Sequence, residues 1–343
     1  MVKVLILSHY FYPDVGGIET NSEILASSFY KMGAEVHVAT WTRYNGKPKF
    51  PFKVVRSPGI LKLVNEHKWA DVVLENNPSL RLSWPNLFIR KPLVIALNTW
   101  TTRLNGEKGF RDKLKRLWFR RAKNIIAVSD AIRKKEWAAA VVIENSYNNH
   151  LFKVHPGIIK TTPFVFLGRL VSDKGADQAI EAVASLIKQG LLGNSDEVQL
   201  TIIGEGPERH RLQILSKRLG VEKNIEFTGT LRGETLVECL NMHRFIIVPS
   251  AWEEPYGNVV LEAMACGCIP IASNGGGLPE AVGQAGFLFE RNNSGCLLNI
   301  LKTLLNDGSK AEAAFKNRDR HLAEHSMELV SERYFKILQD ALN

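Results

Sequence analysis

Apolar residues in this chain fall into short, β-branched runs that alternate with amphipathic stretches. The runs KVLILS at 3–8, EVHVAT at 35–40, DVVL at 71–74, PLVIAL at 92–97 and NIIAV at 124–128 predict strands. A helical pattern from about 20 to 32 stops at Gly33, and longer, partly helical segments separate the later runs. The second half keeps the rhythm: PFVFLGR at 163–169, VQLTIIGEG, NIEFTG, RFIIVPS and CIPIAS predict strands. GADQAIEAVASLIKQG, ERHRLQILSKRLG and VVLEAMACG predict helices between them, and GGLPEAV a loop leading into a short helix. Strand runs that are almost continuously apolar need cover on both faces, which is the pattern of parallel sheets sandwiched by helices.

The rhythm lapses at 150–162, where His155-Pro156-Gly157 punctuates the chain. We therefore expect an N-terminal Rossmann-like domain over 1–152 and a C-terminal one over 160–325. A last helical segment, 326–343, is expected to pack back on the N-terminal domain. Ligands of such doubly wound domains bind beyond the carboxyl ends of the strands, so chemistry is expected in the loops that follow them.

Composition narrows the class. The chain has 343 residues, 45% hydrophobic and 23% charged. No stretch approaches the ~18–20 apolar residues that span a bilayer, and the first apolar run is too short for a signal peptide. The expected location is cytoplasmic. Cys239, Cys266, Cys268 and Cys296 show neither metal-ligand spacing nor a disulfide framework and read as reduced thiols, so no metal site is expected.

Charge is uneven. Residues 1–150 hold 24 Lys and Arg against 12 Asp and Glu, the remainder 20 against 23. KGFRDKLKRLWFRRAK at 108–123 alone holds eight basic residues against one acid. Phe110, Leu114, Leu117 and Trp118 make one apolar stripe there at helical spacing. Such a helix suits the anionic inner face of a membrane or an anionic substrate, and equally a core-packed helix with a solvated basic face. No nucleic-acid module accompanies the basic charge, so nucleic acid is not an expected partner.

Candidate chemistry sits after strands. Gly16-Gly17 precedes a helix after the first strand, where backbone amides can approach an anion; a simple turn is the other reading. His9 lies early in the same loop. After the strand at 163–167, Arg169 and Lys174 share a loop suited to a diphosphate, although loop cations are usually just solvated. GEGPER at 204–209 lacks the Gly-Lys-Ser/Thr ending of a phosphate loop and reads as a strand-to-helix turn. The richest stretch is SAWEEPYGNVVLEAMACGCIPIAS at 250–273. Pro255 and Gly257 keep Glu254 in a loop, Asn258 is expected to cap the next helix, and Glu262 falls about one turn in. A carboxylate there suits a vicinal diol such as a ribose, and Glu254 suits sugar hydroxyls.

Together these stretches resemble a known family. FLGRLVSDKG at 166–175, IIGEGPERHRL at 202–212, FTGTL at 227–231 and the segment ending at 273 have the order and spacing of retaining GT-B glycosyltransferases of family 4. The P-x-x-GG loop and helix at 13–32 and IIAVSDAIRKK at 125–135 extend the likeness over nearly the whole chain. The resemblance implies two Rossmann-like domains facing each other across a cleft. It implies transfer of a sugar from a nucleotide diphosphate sugar to a glycan or lipid-linked acceptor of surface polysaccharide synthesis, without cofactor or metal. By the same resemblance Arg169 and Lys174 match cations on the donor diphosphate, and Gly17, beside Gly16, an amide on the same phosphates. Glu262 matches the ribose ligand. Glu254 with Tyr256, Gly257, Asn258 and Val259 matches the donor-sugar clamp, and Thr230 and Leu231 the base site. One departure stands out: where the family commonly has a histidine after the strand at 92–97, this chain has Asn98. Asn98 suits a donor without a 6-hydroxyl, or a slow enzyme or nucleotide-sugar-binding subunit impaired in turnover; the shared fold separately offers a nucleotide-sugar 2-epimerase, which fits the Glu254–Glu262 stretch poorly.

Overall fold

In the computed structural model residues 1–14, 16–46, 49–101, 110–192 and 197–343 are described, without the side chains of 110–113. The chain forms two compact units, one from Met1–Ser146 with His325–Asn343, the other from Tyr147–Glu324.

The first unit runs β1 (Lys3–Leu7), α1 (Gly17–Lys31), β2 (Glu35–Thr40), β3 (Lys53–Arg56), α2 (Ile60–Trp69), β4 (Val72–Asn76) and α3 (Leu80–Ser83). It continues with α4 (Asn86–Ile89), β5 (Leu93–Leu97), α5 (Phe110–Phe119), β6 (Asn124–Ala127), α6 (Asp130–Glu136) and β7 (Val141–Val142). The strands make a parallel sheet in the order β3-β2-β1-β4-β5-β6-β7. β3, α2 and the short α3–α4 pair add to the elements that periodicity predicts. The apolar side chains of β1, β4 and β5 are buried because helices cover both faces.

The second unit runs β8 (Thr162–Leu167), α7 (Ala176–Lys188), β9 (Leu200–Ile203), α8 (Arg209–Leu219), β10 (Ile225–Gly229), α9 (Gly233–Asn241) and β11 (His243–Val248). Then come α10 (Asn258–Ala265), β12 (Ile269–Asn274), α11 (Leu278–Val282), β13 (Phe287–Glu290), α12 (Ser294–Asn306), α13 (Gly308–Lys316) and α14 (Arg318–Glu324). Its parallel sheet has the order β10-β9-β8-β11-β12-β13. Both sheets reverse direction beside their first strand, between β1 and β4 and between β8 and β11. These are the topological switch points beyond which such sheets bind ligands.

The last helix, α15 (Met327–Leu342), lies in the first unit against α1, β4 and β5. It buries Val330, Tyr334, Leu338 and Ala341 in that unit's core, a stripe at helical spacing. The chain changes unit at Ser146/Tyr147, earlier than residue 152, and the stretch assigned to neither domain belongs to the second unit. Asn241 explains this: its Oδ1 accepts from the His155 amide at 2.8 Å and its Nδ2 donates to the Lys153 carbonyl at 3.0 Å. Lys160 Nζ adds a bond to the His243 carbonyl at 2.7 Å.

Candidate functional site

Two loops meet at the switch point of the second unit, Gly168–Gly175 after β8 and Pro249–Gly257 after β11. The amide of Ala251 donates to the Asp173 carbonyl at 2.9 Å, and Gln178 Nε2 donates to the Pro249 carbonyl at 3.2 Å. Gly175 makes the approach possible. It sits at φ 72°, and a Cβ there would lie 2.1 Å from the Pro249 oxygen. A single turn of 3-10 helix, Ser172–Lys174, then carries Lys174 toward the second loop.

There Lys174 Nζ donates to Glu254 Oε1 at 2.6 Å, and Ser250 Oγ donates to the same oxygen at 2.6 Å. Glu254 is buried and Lys174 half-buried. Among the described residues nothing donates to Glu254 Oε2. The sequence places a cation and an acid on different parts of a ligand; the structure puts them in direct contact. The Gly277 amide donates to the Glu254 carbonyl at 2.8 Å, which seats the 274–277 loop against the acid. Arg169, at the start of the first loop, is exposed.

Tyr256 is buried, and Gly257 follows at φ 115°, packed so closely on Leu278 that a Cβ would lie 2.6 Å from its Cδ2. The cap of α10 is therefore Gly257. Asn258, expected to cap, is instead the first helical residue. The chain turns one residue early because only glycine fits that left-handed position. Asn258 and Val259 then form the first turn, at the positive end of the helix dipole.

Glu262 lies one turn further along α10, partly exposed yet closely surrounded by protein. Burial pushes its carboxyl up to about 7. Among the described residues it makes no side-chain hydrogen bond and no ion pair. A carboxyl so placed loses hydration without compensation, which is common where a ligand completes the environment. Thr230 and Leu231 follow β10 and are exposed and half-buried. β10 is two strands from β8, ~10 Å at ordinary strand spacing. The loop of Arg169 and Lys174, the Glu254 loop and the start of α10 thus cluster at the switch point, with Thr230 and Leu231 along the same edge.

The remaining candidates belong to the first unit. Gly16 precedes α1 in extended backbone, and Gly17 is its first residue, so the helix begins earlier than the apolar pattern suggests. Val15 lies outside the described residues. His9 is half-buried, and burial with the nearby Arg81 charge holds its imidazole below the usual histidine range, hence neutral at pH 7. Asn98 is buried at the end of β5 and held by other amides. Its Nδ2 donates to Asn76 Oδ1 at 2.6 Å, and its Oδ1 accepts from Asn21 Nδ2 at 3.4 Å. Asn76 Nδ2 donates to Ser22 Oγ at 2.6 Å, and Ser22 Oγ to Ser8 Oγ at 2.7 Å. This network ties the ends of β1, β4 and β5 to α1. Sequence reasoning missed it because its members are far apart in the chain. It also missed Asn77, at φ 71° beside β4, whose buried Oδ1 has no partner among the described residues.

Residues 153–321 match the family model "Glycosyl transferases group 1", which covers nearly all of the second unit. A D-inositol 3-phosphate glycosyltransferase of Corynebacterium jeikeium is 30% identical over 53% of this chain and 44% of its own length. A GDP-mannose-dependent monoacylated alpha-(1-6)-phosphatidylinositol monomannoside mannosyltransferase of Corynebacterium glutamicum is 32% identical over 53% of this chain and 49% of its own. The chain thus spans about half the length of these curated relatives. Among solved structures, Anabaena HepE in complex with UDP and glucose aligns with a TM-score of 0.81 at 22% identity, covering 99% of this chain and 100% of that one. A sucrose-phosphate synthase of Thermosynechococcus elongatus aligns at 0.80 with 20% identity, covering 99% of each chain. Two parallel-sheet Rossmann-like units are the fold shared with these structures. The second unit is similar to the glycosyl transferases group 1 family over most of its length.

Proposed function

We propose that the protein transfers a sugar from a nucleotide diphosphate sugar to a glycan or lipid-linked acceptor with retention of configuration. The observation that carries this reading is the pair of carboxyls flanking the start of α10, one joined to Lys174 and the other without a protein partner. In this reading Glu262 accepts hydrogen bonds from the ribose hydroxyls, which replace the hydration that burial removed. Arg169 and Lys174 neutralise the diphosphate, and Glu254 Oε2, with the first turn of α10, binds the sugar hydroxyls. Lys174 and Glu254 lie in contact, so a ligand touching both has its sugar–phosphate bond close to the pair. That bond breaks, the acceptor oxygen bonds to the anomeric carbon on the same face, and the acceptor proton passes to the departing phosphate oxygen. The charge on the leaving group is met by protein cations and helix dipoles, so transfer should continue in EDTA.

The relatives support the donor and acceptor classes by what they act on: one uses GDP-mannose and a monoacylated lipid glycoside. The structure of HepE holds UDP and glucose.

A thermal-shift screen with UDP-, GDP-, ADP- and dTDP-sugars, followed by transfer assays with the stabilising donor, tests the proposal. One nucleotide series should raise the melting temperature. Lys174→Met should lower kcat/KM about 100-fold, the scale for losing one preorganised contact to a developing anion. No shift with any nucleotide, or full activity in the Lys174 variant, sinks it.

A further inference from the structure

The first sheet has its own switch point, between β1 and β4, and the loops that leave β1, β2 and β4 border it. His9 stands in the first of these loops with its backbone pinned and its ring free. The His9 carbonyl accepts from the Trp41 amide at 3.1 Å and from Thr40 Oγ1 at 3.1 Å. On the next residue, the Tyr10 carbonyl accepts from Ser8 Oγ at 2.7 Å. The half-buried imidazole meets the Tyr10 ring edge-on, with centroids 4.6 Å apart, and makes no hydrogen bond among the described residues. A buried histidine that serves the fold uses its ring nitrogens, as His243 does with the Cys239 carbonyl and Thr201 Oγ1.

The groups around His9 are also short of partners. Trp41 Nε1 is buried and unbonded among the described residues, and so is Asn77 Oδ1, in the turn that carries the chain from β4 to α3. Buried polar atoms of this kind cost free energy and collect where a ligand completes the surroundings. Arg81, on α3, places its guanidinium 5.2 Å from the Trp41 ring, and its charge reaches the imidazole. The cationic excess of residues 1–150 is therefore not confined to 108–123, of which 108–109 and the side chains of 110–113 lie outside the described residues. Asn98, the other candidate at this end of the sheet, is already committed. Both polar atoms of its amide are bonded to Asn76 and Asn21.

We propose that the His9 ring binds the acceptor, one nitrogen taking a hydrogen bond from an acceptor hydroxyl beside the one that reacts. This rests on the transfer reading above, in which the donor's contacts lie in the second unit and the acceptor's fall to the first. The reacting hydroxyl still passes its proton to the departing phosphate oxygen. His9 gains and loses no proton in that step; it fixes which hydroxyl is presented. A neutral imidazole suits the task, since it offers one acceptor nitrogen and one N–H to neighbouring hydroxyls of a sugar ring. Burial and the Arg81 charge keep it in that state. Among the described residues Arg81 is the charged group that acts on the ring, and Tyr10 is its titratable contact. Thr40 and Trp41, from the end of β2, carry no charge.

Transfer from the stabilising donor to octyl mannoside, octyl glucoside and octyl galactoside, set against hydrolysis of the same donor by water, tests it. His9→Ala should lower kcat/KM for the glycosides about 100-fold, the scale for a misplaced reactant, and hydrolysis far less. His9→Gln, whose amide still accepts a hydrogen bond, should keep more of the transfer. The ratio of transfer to hydrolysis cancels the protonation of Glu262, which both reactions share. In the parent that ratio should fall as pH drops below 6.5, because a protonated ring has no acceptor nitrogen. In Arg81→Gln the fall should begin at higher pH, since the charge that disfavours the imidazolium is gone, and in His9→Gln it should disappear. A histidine that only supports the fold would produce neither change. Full transfer by His9→Ala, or a pH response unmoved in Arg81→Gln, overturns the proposal. So does an equal loss of transfer and hydrolysis, which would assign the ring to the donor sugar. A nucleotide-induced rise in melting temperature beside full transfer in His9→Ala sinks this inference alone. Absence of that rise in the parent sinks the transfer reading and this inference with it.

Discussion

At Glu262 a side chain that the proposed function uses also weakens the fold. In the unfolded chain the carboxyl ionises near its ordinary value of 4.5, but in the folded protein not until about 7. Between those values the folded state binds more protons than the unfolded one, so stability falls as pH rises through the window and stays lowered above it. The full penalty is about 3 kcal/mol. Glu262→Gln removes the ionisation, so the variant should melt higher than the parent at pH 8, and the difference should vanish near pH 4.5. Melting curves across that range check the sign. The same substitution should weaken nucleotide binding, measured by calorimetry, and the parent's affinity should fall as pH drops below 7 and the carboxyl takes up a proton. A variant that gains no stability at pH 8 would mean the carboxyl is ionised at little cost, and the ribose role would lose its physical motive.

At the scale of elements, the loops after β8 and β11 act as one unit because Gly175 lets them touch. Gly175→Ala would force a side chain into the left-handed region and against the Pro249 carbonyl, destabilising the fold by about 2–4 kcal/mol. Urea unfolding should show the lower midpoint. Transfer should fall beyond what stability explains, because Lys174, the next residue back, is displaced from Glu254. The sequence made much of this site legible. The Glu254 and Glu262 spacing, the Pro255–Gly257 break and the cations Arg169 and Lys174 can all be read locally, since each depends on neighbours in the chain. The Lys174–Glu254 contact could not be read, because it spans 80 positions and depends on two loops closing. Likewise Asn98 reads as a candidate sugar contact in sequence but meets Asn76 and Asn21 in the fold. The placement of Asn258 failed for a local reason: asparagine is a better cap by propensity, yet the tight packing on Leu278 makes the preceding glycine the turning point.

For the molecule as a whole, the chain order and the units do not coincide, since the chain leaves the first unit at residue 146 and returns to it at 325. A fragment ending before α15 is therefore an incomplete first unit followed by an intact second one. Val330, Tyr334 and Leu338 are each worth roughly 1.5–3 kcal/mol of burial, so α15 contributes at least about 5 kcal/mol. That is comparable with the entire stability of many domains, ~5–15 kcal/mol. Deleting 325–343 should therefore unfold the first unit, seen as faster proteolysis of 1–146 and lost near-ultraviolet signal. The second unit keeps its sheet, its switch-point loops and Glu262, and should still bind the bare nucleotide, while transfer disappears. Survival of a protease-resistant first unit without α15 would show that its core closes through other contacts. Loss of nucleotide binding along with transfer would show that the second unit depends on the first for its folded state.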